Sequence, residues 1–244
     1  MRTYIKELIV GLKSYLKVIS FISTQRLWAV LWATIVANAL LVFVLFSVFG
    51  FTFFQMGDFF IVSLEEVNFI PHWFLKTVSL FLTIILLFYI YRYLALIFLS
   101  PLFSYISEKV QYAIAGIEHP LTFQQLVKDV SRGVKIAFRN LLRELLLTFF
   151  LLGLSLSGVL APFVPLAIYI VSAYFFGFAM IDYRSETRGL DSEQSIRLIK
   201  RHKGVAAGIG IGFKLFLLIP FVGILLAPLF AIIAGALAME EIDR

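Results

Sequence analysis

Cysteine is absent from the 244-residue chain, which excludes disulfides, thiolate metal sites and cysteine nucleophiles. Charge is scarce as well: 15% of residues are Asp, Glu, Lys or Arg, against about 25% in ordinary soluble domains. Proline numbers only seven, whereas 27 Phe and 10 Tyr carry apolar surface that has to be buried, so the composition is not that of a disordered chain. With 61% hydrophobic residues, the sequence reads as an integral membrane protein and not as a soluble globule. Catalytic signatures are missing too. There is no His-Glu-x-x-His, no Walker loop and no Gly-x-Ser-x-Gly, and the nearest string, Gly153-Leu-Ser-Leu-Ser-Gly158, has the wrong spacing. Gly208, Gly210 and Gly212 lack the βαβ context of a dinucleotide loop. His72, His119 and His202 show no ligand spacing. The chain is therefore expected not to be an enzyme, and no catalytic residue, metal, cofactor or nucleic-acid partner is expected.

What is present is a set of long apolar runs. Residues 27–54 contain no charged side chain and, as a helix rising about 1.5 Å per residue, exceed a hydrocarbon core of about 30 Å. Residues 73–103 form a second such run, interrupted only by Lys76 and Arg92. Residues 1–22 place Ile5, Leu8, Ile9, Leu12, Leu16 and Ile19 on one helical face with Lys6, Lys13 and Lys17 elsewhere, the pattern of an interfacial amphipathic helix. Two later runs are broken near their middles: 145–181 at Gly158, Pro162 and Pro165, and 205–239 at Pro220, Gly223 and Pro228. The pieces 145–157 and 205–219 are too short to cross a bilayer of about 30 Å. The expected fold is thus all-α, a single membrane domain with two long transmembrane helices and two partially inserted, re-entrant hairpins whose tips are covered by protein or line a watery cavity. Four thin complete spans are the alternative.

Cytoplasmic surface helices complete the picture. One covers 120–143, opened by a Thr122–Gln125 capping box, and another covers 191–203, capped by Asp191 or Ser192 and ended by Gly204. Lys and Arg concentrate in 1–26, 104–144 and 182–204, while loop 55–72 and both hairpin tips carry none, so the positive-inside rule puts both termini in the cytoplasm. Gly204, Gly208 and Gly212, four apart, suit the close approach of another helix. The two broken runs also share a faint similarity, Pro162-Phe163-Val164 against Pro220-Phe221-Val222, of the kind seen at the sites of repeat-built transporters.

The candidate anion site is Ser23-Thr24-Gln25-Arg26, directly before the first span. Hydroxyls, unpaired N–H groups at a helix start and an arginine fork together suit a tetrahedral oxyanion. The plainer reading makes Ser23 or Thr24 an N-cap and Arg26 a headgroup anchor. Arg92 and Lys214, charged groups within apolar runs, are candidate pathway residues or side chains that snorkel to the headgroups. Asn38, midway along the first span, suits a hydrogen bond to a neighbouring helix.

The chain resembles the CysZ sulfate permease family and its distant eukaryotic etoposide-induced relatives. The resemblance rests on Arg26-Leu-Trp-Ala-Val-Leu-Trp-Ala-Thr-Ile-Val-Ala-Asn38, on Ser100-Pro-Leu-Phe-Ser-Tyr-Ile-Ser-Glu-Lys-Val110, on Asp182-Tyr183 followed by Arg188-Gly-Leu190, and on Arg201-His-Lys-Gly204 with Ile219-Pro220 and Ala227-Pro228. It implies a bacterial inner-membrane protein, oligomeric, with two long spans and two inserted hairpins, mediating sulfate entry for cysteine synthesis. It also implies a sulfate site at a Gly-Leu-Arg-Arg type sequence, which maps onto Thr24 to Leu27. Here the glycine is absent, Arg26 matches one arginine and Leu27 stands where the second would be, and Thr34 replaces a proline. The expected function is a sulfate or related oxyanion permease acting as a homo-oligomer in the bilayer, since two full spans hardly enclose an aqueous path. The alternative is a non-transporting scaffold of the same fold that organises the membrane.

Overall fold

A computed structural model describes residues 2–63, 73–74, 77–78, 80–81, 83–84, 94–116, 123–219 and 222–243. Arg92, His72, His119, Thr122, Pro220 and Phe221 lie outside these, as does the middle of the second expected span, 85–93. Among the described residues the helices with defined bounds are α1 (Arg2–Thr24), α2 (Trp28–Ser63), α3 (Ser100–Ala115), α4 (Phe123–Ser155), α5 (Val164–Thr187), α6 (Ser192–Arg201), α7 (Lys203–Phe216) and α8 (Val222–Asp243). Among the described residues there is no strand.

Among the described residues three helices are long and apolar enough to cross a membrane: Trp28–Phe51 within α2, Ala161–Thr187 and Val222–Asp243. Of the two broken runs, each therefore has one long arm, α5 or α8. The shorter arm of the second is α7, whose 14 residues rise only about 21 Å and cannot cross unaided. The first run's shorter arm continues without a break from the polar helix before it, because nothing in 123–155 interrupts helical backbone bonding. At its tip Gly158 takes φ +73°, a left-handed turn that glycine adopts without strain. Pro162 then lies in a short 3-10 turn and Pro165 in the first turn of α5, where a missing N–H leaves no bond unmade. Pro228 does not break α8 but sits inside it. The outward faces are apolar: Trp32 in α2 is 63% exposed and Phe149 in α4 is 67% exposed, a surface suited to lipid.

Helix α7 is the centre of the packing, and its glycines explain why. Tyr4 and Glu7 of α1 occupy the space a Cβ on Gly204 would take, Leu8 and Gly11 that of Gly208, and the Tyr15 ring that of Gly212. Helix α1 therefore lies along α7 with chain direction matched, and Tyr15 donates its hydroxyl to the Ile209 carbonyl at 2.7 Å. The opposite side of α7 meets α5, running antiparallel: Gly177 abuts Ala206, and Gly210 abuts Ala173. The glycine spacing thus serves two helices, one on each side. Gly204 does not end the preceding helix as expected. The turn falls at His202, and Gly204 is kept free of a side chain by α1, whose Glu7 carboxylate accepts its N–H at 3.1 Å.

The face that α1 buries is not its most apolar one. Glu7, Gly11, Ser14, Val18 and Ile22 point inward, while Ile9, Leu16 and Ile19 remain exposed. Small residues allow the close approach inward, and the apolar stripe is left for lipid. Asn38, fully buried in α2, donates to the Leu225 carbonyl of α8 at 3.2 Å, joining the two helices. In α6 the cap is Asp191: its side chain accepts from Gln194 N–H at 2.7 Å, and Gln194 Oε1 accepts the Asp191 N–H at 2.9 Å. Asp191→Ala should cost about 1 kcal/mol and Asp191→Ser much less. Amide hydrogen exchange in α6 checks this: equal protection in both variants would contradict the cap.

Candidate functional site

The segment 23–26 forms the elbow between α1 and α2. Ser23 and Thr24 finish α1 and do not cap α2, because the chain turns only at 25–27. Leu27 N–H bonds to the Ile22 carbonyl at 3.0 Å and Arg26 N–H to the Ser23 carbonyl at 3.3 Å. This pair of bonds is the Schellman closure of a helix end, and its geometry requires a left-handed residue at Arg26. Arg26 has φ +53° and is the only non-glycine with positive φ among the described residues. Glycine would adopt that conformation freely, whereas a side chain there costs roughly 1–2 kcal/mol. A strained residue of this kind is a reason to ask what its side chain does.

All four side chains of the segment are exposed. The first α2 bond from beyond the elbow is Leu31 N–H to the Leu27 carbonyl at 3.1 Å, and a helix start leaves its opening N–H groups without intrahelical partners. An exposed arginine therefore lies beside a helix N-terminus, and both carry positive charge or partial charge.

Of the other sequence candidates, Lys214 makes its contacts with Tyr169 of α5 and not with the elbow. Lys214 sits in the last turn of α7, donates to the Tyr169 carbonyl at 3.1 Å and lies 4.2 Å over the Tyr169 ring. Both contacts reach α5, so the ammonium links the two antiparallel helices. Arg92 is outside the described residues.

Sequence reading missed a buried polar hub at the end of α5. Arg184, 1% exposed, donates to Asp243 at 2.8 Å and to Glu240 at 3.4 Å. Arg188 bridges the same two carboxylates at 3.1 and 3.2 Å and reaches Gln111 of α3 at 3.4 Å. Glu186 accepts from Ser104 of α3 at 2.7 Å. Asp182 pairs with Arg132 of α4 at 3.1 Å and accepts the Ser195 hydroxyl of α6. Glu7 binds the His202 ring at 2.9 Å nearby in the packing of α1 on α7. The available signal was the alternation Asp182, Arg184, Glu186, Arg188, which sends opposite charges to different helix faces and so demands partners all round. Charges this buried are tolerated only when paired. No group of three or more His, Asp or Glu among the described residues could hold a metal.

A family model described as "Sulfate transporter CysZ/Etoposide-induced protein 2.4" matches residues 14–228, from inside α1 to inside α8. No curated protein matches the chain.

Proposed function

The chain belongs to the sulfate transporter CysZ/etoposide-induced protein 2.4 family, and from that premise we propose that it is a permease for sulfate or a related oxyanion, with Arg26 as an anion contact. One observation carries the assignment of the site: an exposed arginine held in left-handed backbone, where glycine would be more stable, beside the start of a membrane helix. A guanidinium offers two parallel N–H donors to a tetrahedral oxyanion, and the Ser23 and Thr24 hydroxyls and the α2 N-terminus add dipoles of the same sense. The surrounding reading is a bacterial inner-membrane protein with both termini in the cytoplasm, supplying sulfate for cysteine synthesis. Its support is the concentration of Lys and Arg in 1–26, 104–144 and 182–204. Two re-entrant hairpins and a homo-oligomeric pore complete it, and the 14-residue α7, which cannot cross alone, supports the second hairpin.

Radiolabelled sulfate uptake into proteoliposomes tests the reading. Charge-assisted hydrogen bonds contribute about 1.5–3 kcal/mol each, so Arg26→Ala should lower flux at sub-saturating sulfate by roughly 10- to 100-fold. Arg26→Gly should lose the same flux yet gain about 1 kcal/mol of stability, since the left-handed strain disappears. Wild-type flux equal to that of empty vesicles would remove the permease, and unchanged flux in either variant would remove Arg26.

A further inference from the structure

A cavity of about 370 Å³ opens between α4, α5 and the junction of α6 and α7. Arg139, Arg143, Lys200 and Lys203 line one part of it, and Leu147 and Ile170 line another. No Asp or Glu among the described residues lines it, and none of its four cations is in an ion pair with a described carboxylate. Burial, then the like charge of Arg143, presses the Arg139 guanidinium below its usual range. That guanidinium lies 4.9 Å over the Phe178 ring and donates to Asn140 at 3.0 Å, which fixes its direction.

The cations gather towards one end of the cavity, with the Phe178 ring beneath Arg139 among them. Helices α4 and α5 run antiparallel to and from the Gly158 tip, so Leu147 and Ile170 lie on the tip side, and Arg139 and Phe178 on the side of the polar hub. Eight residues separate each pair along its helix, about 12 Å. The cavity therefore passes from an end with four positive charges to an aliphatic end at Leu147 and Ile170, along the direction in which the hairpin enters the membrane. A small inorganic anion would use only the charged end, whereas the volume falls in the range of roughly 300–1,000 Å³ that takes larger organic ligands.

We propose that this cavity holds one anionic phospholipid, its phosphate among Arg143, Lys200 and Lys203 and the start of an acyl chain between Leu147 and Ile170. Basic pockets between membrane helices on the cytoplasmic side bind anionic headgroups by this complementarity. The inference requires the membrane location and not the sulfate reading, so either can fail alone.

Native mass spectrometry of the purified full chain, titrated in neutral detergent with phosphatidylglycerol or phosphatidylcholine, tests it. Wild type should retain one phosphatidylglycerol in preference to phosphatidylcholine. Each exposed cation near an anionic headgroup is worth about fivefold in affinity, so R143A/K200A/K203A should weaken retention by roughly 100-fold. K200A and K203A singly should each weaken it about fivefold, which keeps the test valid if the triple variant misfolds. Lys128→Ala with Lys135→Ala, exposed on the same α4 but outside the cavity, should change nothing. Excess sulfate or glycerol phosphate should not displace the lipid. Equal retention of both lipids, retention unaltered by the cavity variants, or displacement by sulfate would overturn the proposal, the last by showing a site for free oxyanions.

Discussion

A Gly210→Leu chain is expected to yield no monodisperse protein in detergent, while Gly50→Ala remains at or above wild-type stability. At position 210 a Cβ would overlap the carbonyl of Ala173, and the obstructing atoms are backbone, with no rotamer to yield. Overpacking alone costs typically 1–3 kcal/mol and sometimes more. Forcing α5 and α7 apart also loses the Phe176–Phe213 stack, at 3.6 Å between centroids, worth about 1 kcal/mol, and the Lys214 link to Tyr169. Against a total stability of about 5–15 kcal/mol, that loss is disabling. Gly177→Leu should behave alike, because it meets the Ala206 carbonyl at the same crossing. Gly50 meets nothing within 4 Å, so alanine gains helix propensity there without a clash. Size-exclusion chromatography and thermal unfolding decide the matter: a monodisperse Gly210→Leu protein with unchanged midpoint would show that the helices do not cross so closely.

The second large effect is an asymmetry in the hub at the end of α5. Glu240→Gln with Asp243→Asn should destabilise by about 3–5 kcal/mol, and Arg184→Met by clearly less. The double change leaves the Arg184 charge without its carboxylates at 1% exposure, the situation in which breaking a buried pair is most costly. Arg184→Met instead leaves two carboxylates that are 22% and 33% exposed and still paired with Arg188, so water and one cation remain to them. Adding Arg184→Met to the double variant should restore part of the loss, since an apolar side chain of similar length needs no partner. Equilibrium unfolding in mixed micelles measures all three, and equal losses for Arg184→Met and the carboxylate pair would contradict this account.

The helix pattern could be read without coordinates because its causes are local. A run of uncharged residues from 27 to 54, a helix cap at Asp191 or Ser192, and Gly158 with Pro162 at a tip each act within a few residues, and helical backbone bonds close within the same segment. The candidate site was readable only in part. Arg26 stood out by charge next to an apolar run, but its left-handed backbone arises from how α1 ends, and spacing led instead to Ser23 or Thr24 as a cap for α2. The hub and the cationic cavity were not readable as sites. Glu240 and Asp243 in the last helix of the chain find Arg184 from 56 and 59 residues away, and Glu7 meets Gly204 across 197.

The sequence by itself therefore determined that this chain is helical, lives in a membrane and keeps its cations in a few segments, since hydrophobic burial and helix bonding depend on what lies within a few turns. Only the tertiary structure decided which face α1 buries, that one glycine helix serves two neighbours, and that Arg143, Lys200 and Lys203 share one cavity. Those outcomes depend on contacts between distant segments, where steric fit and charge pairing act through space and leave no period in the sequence.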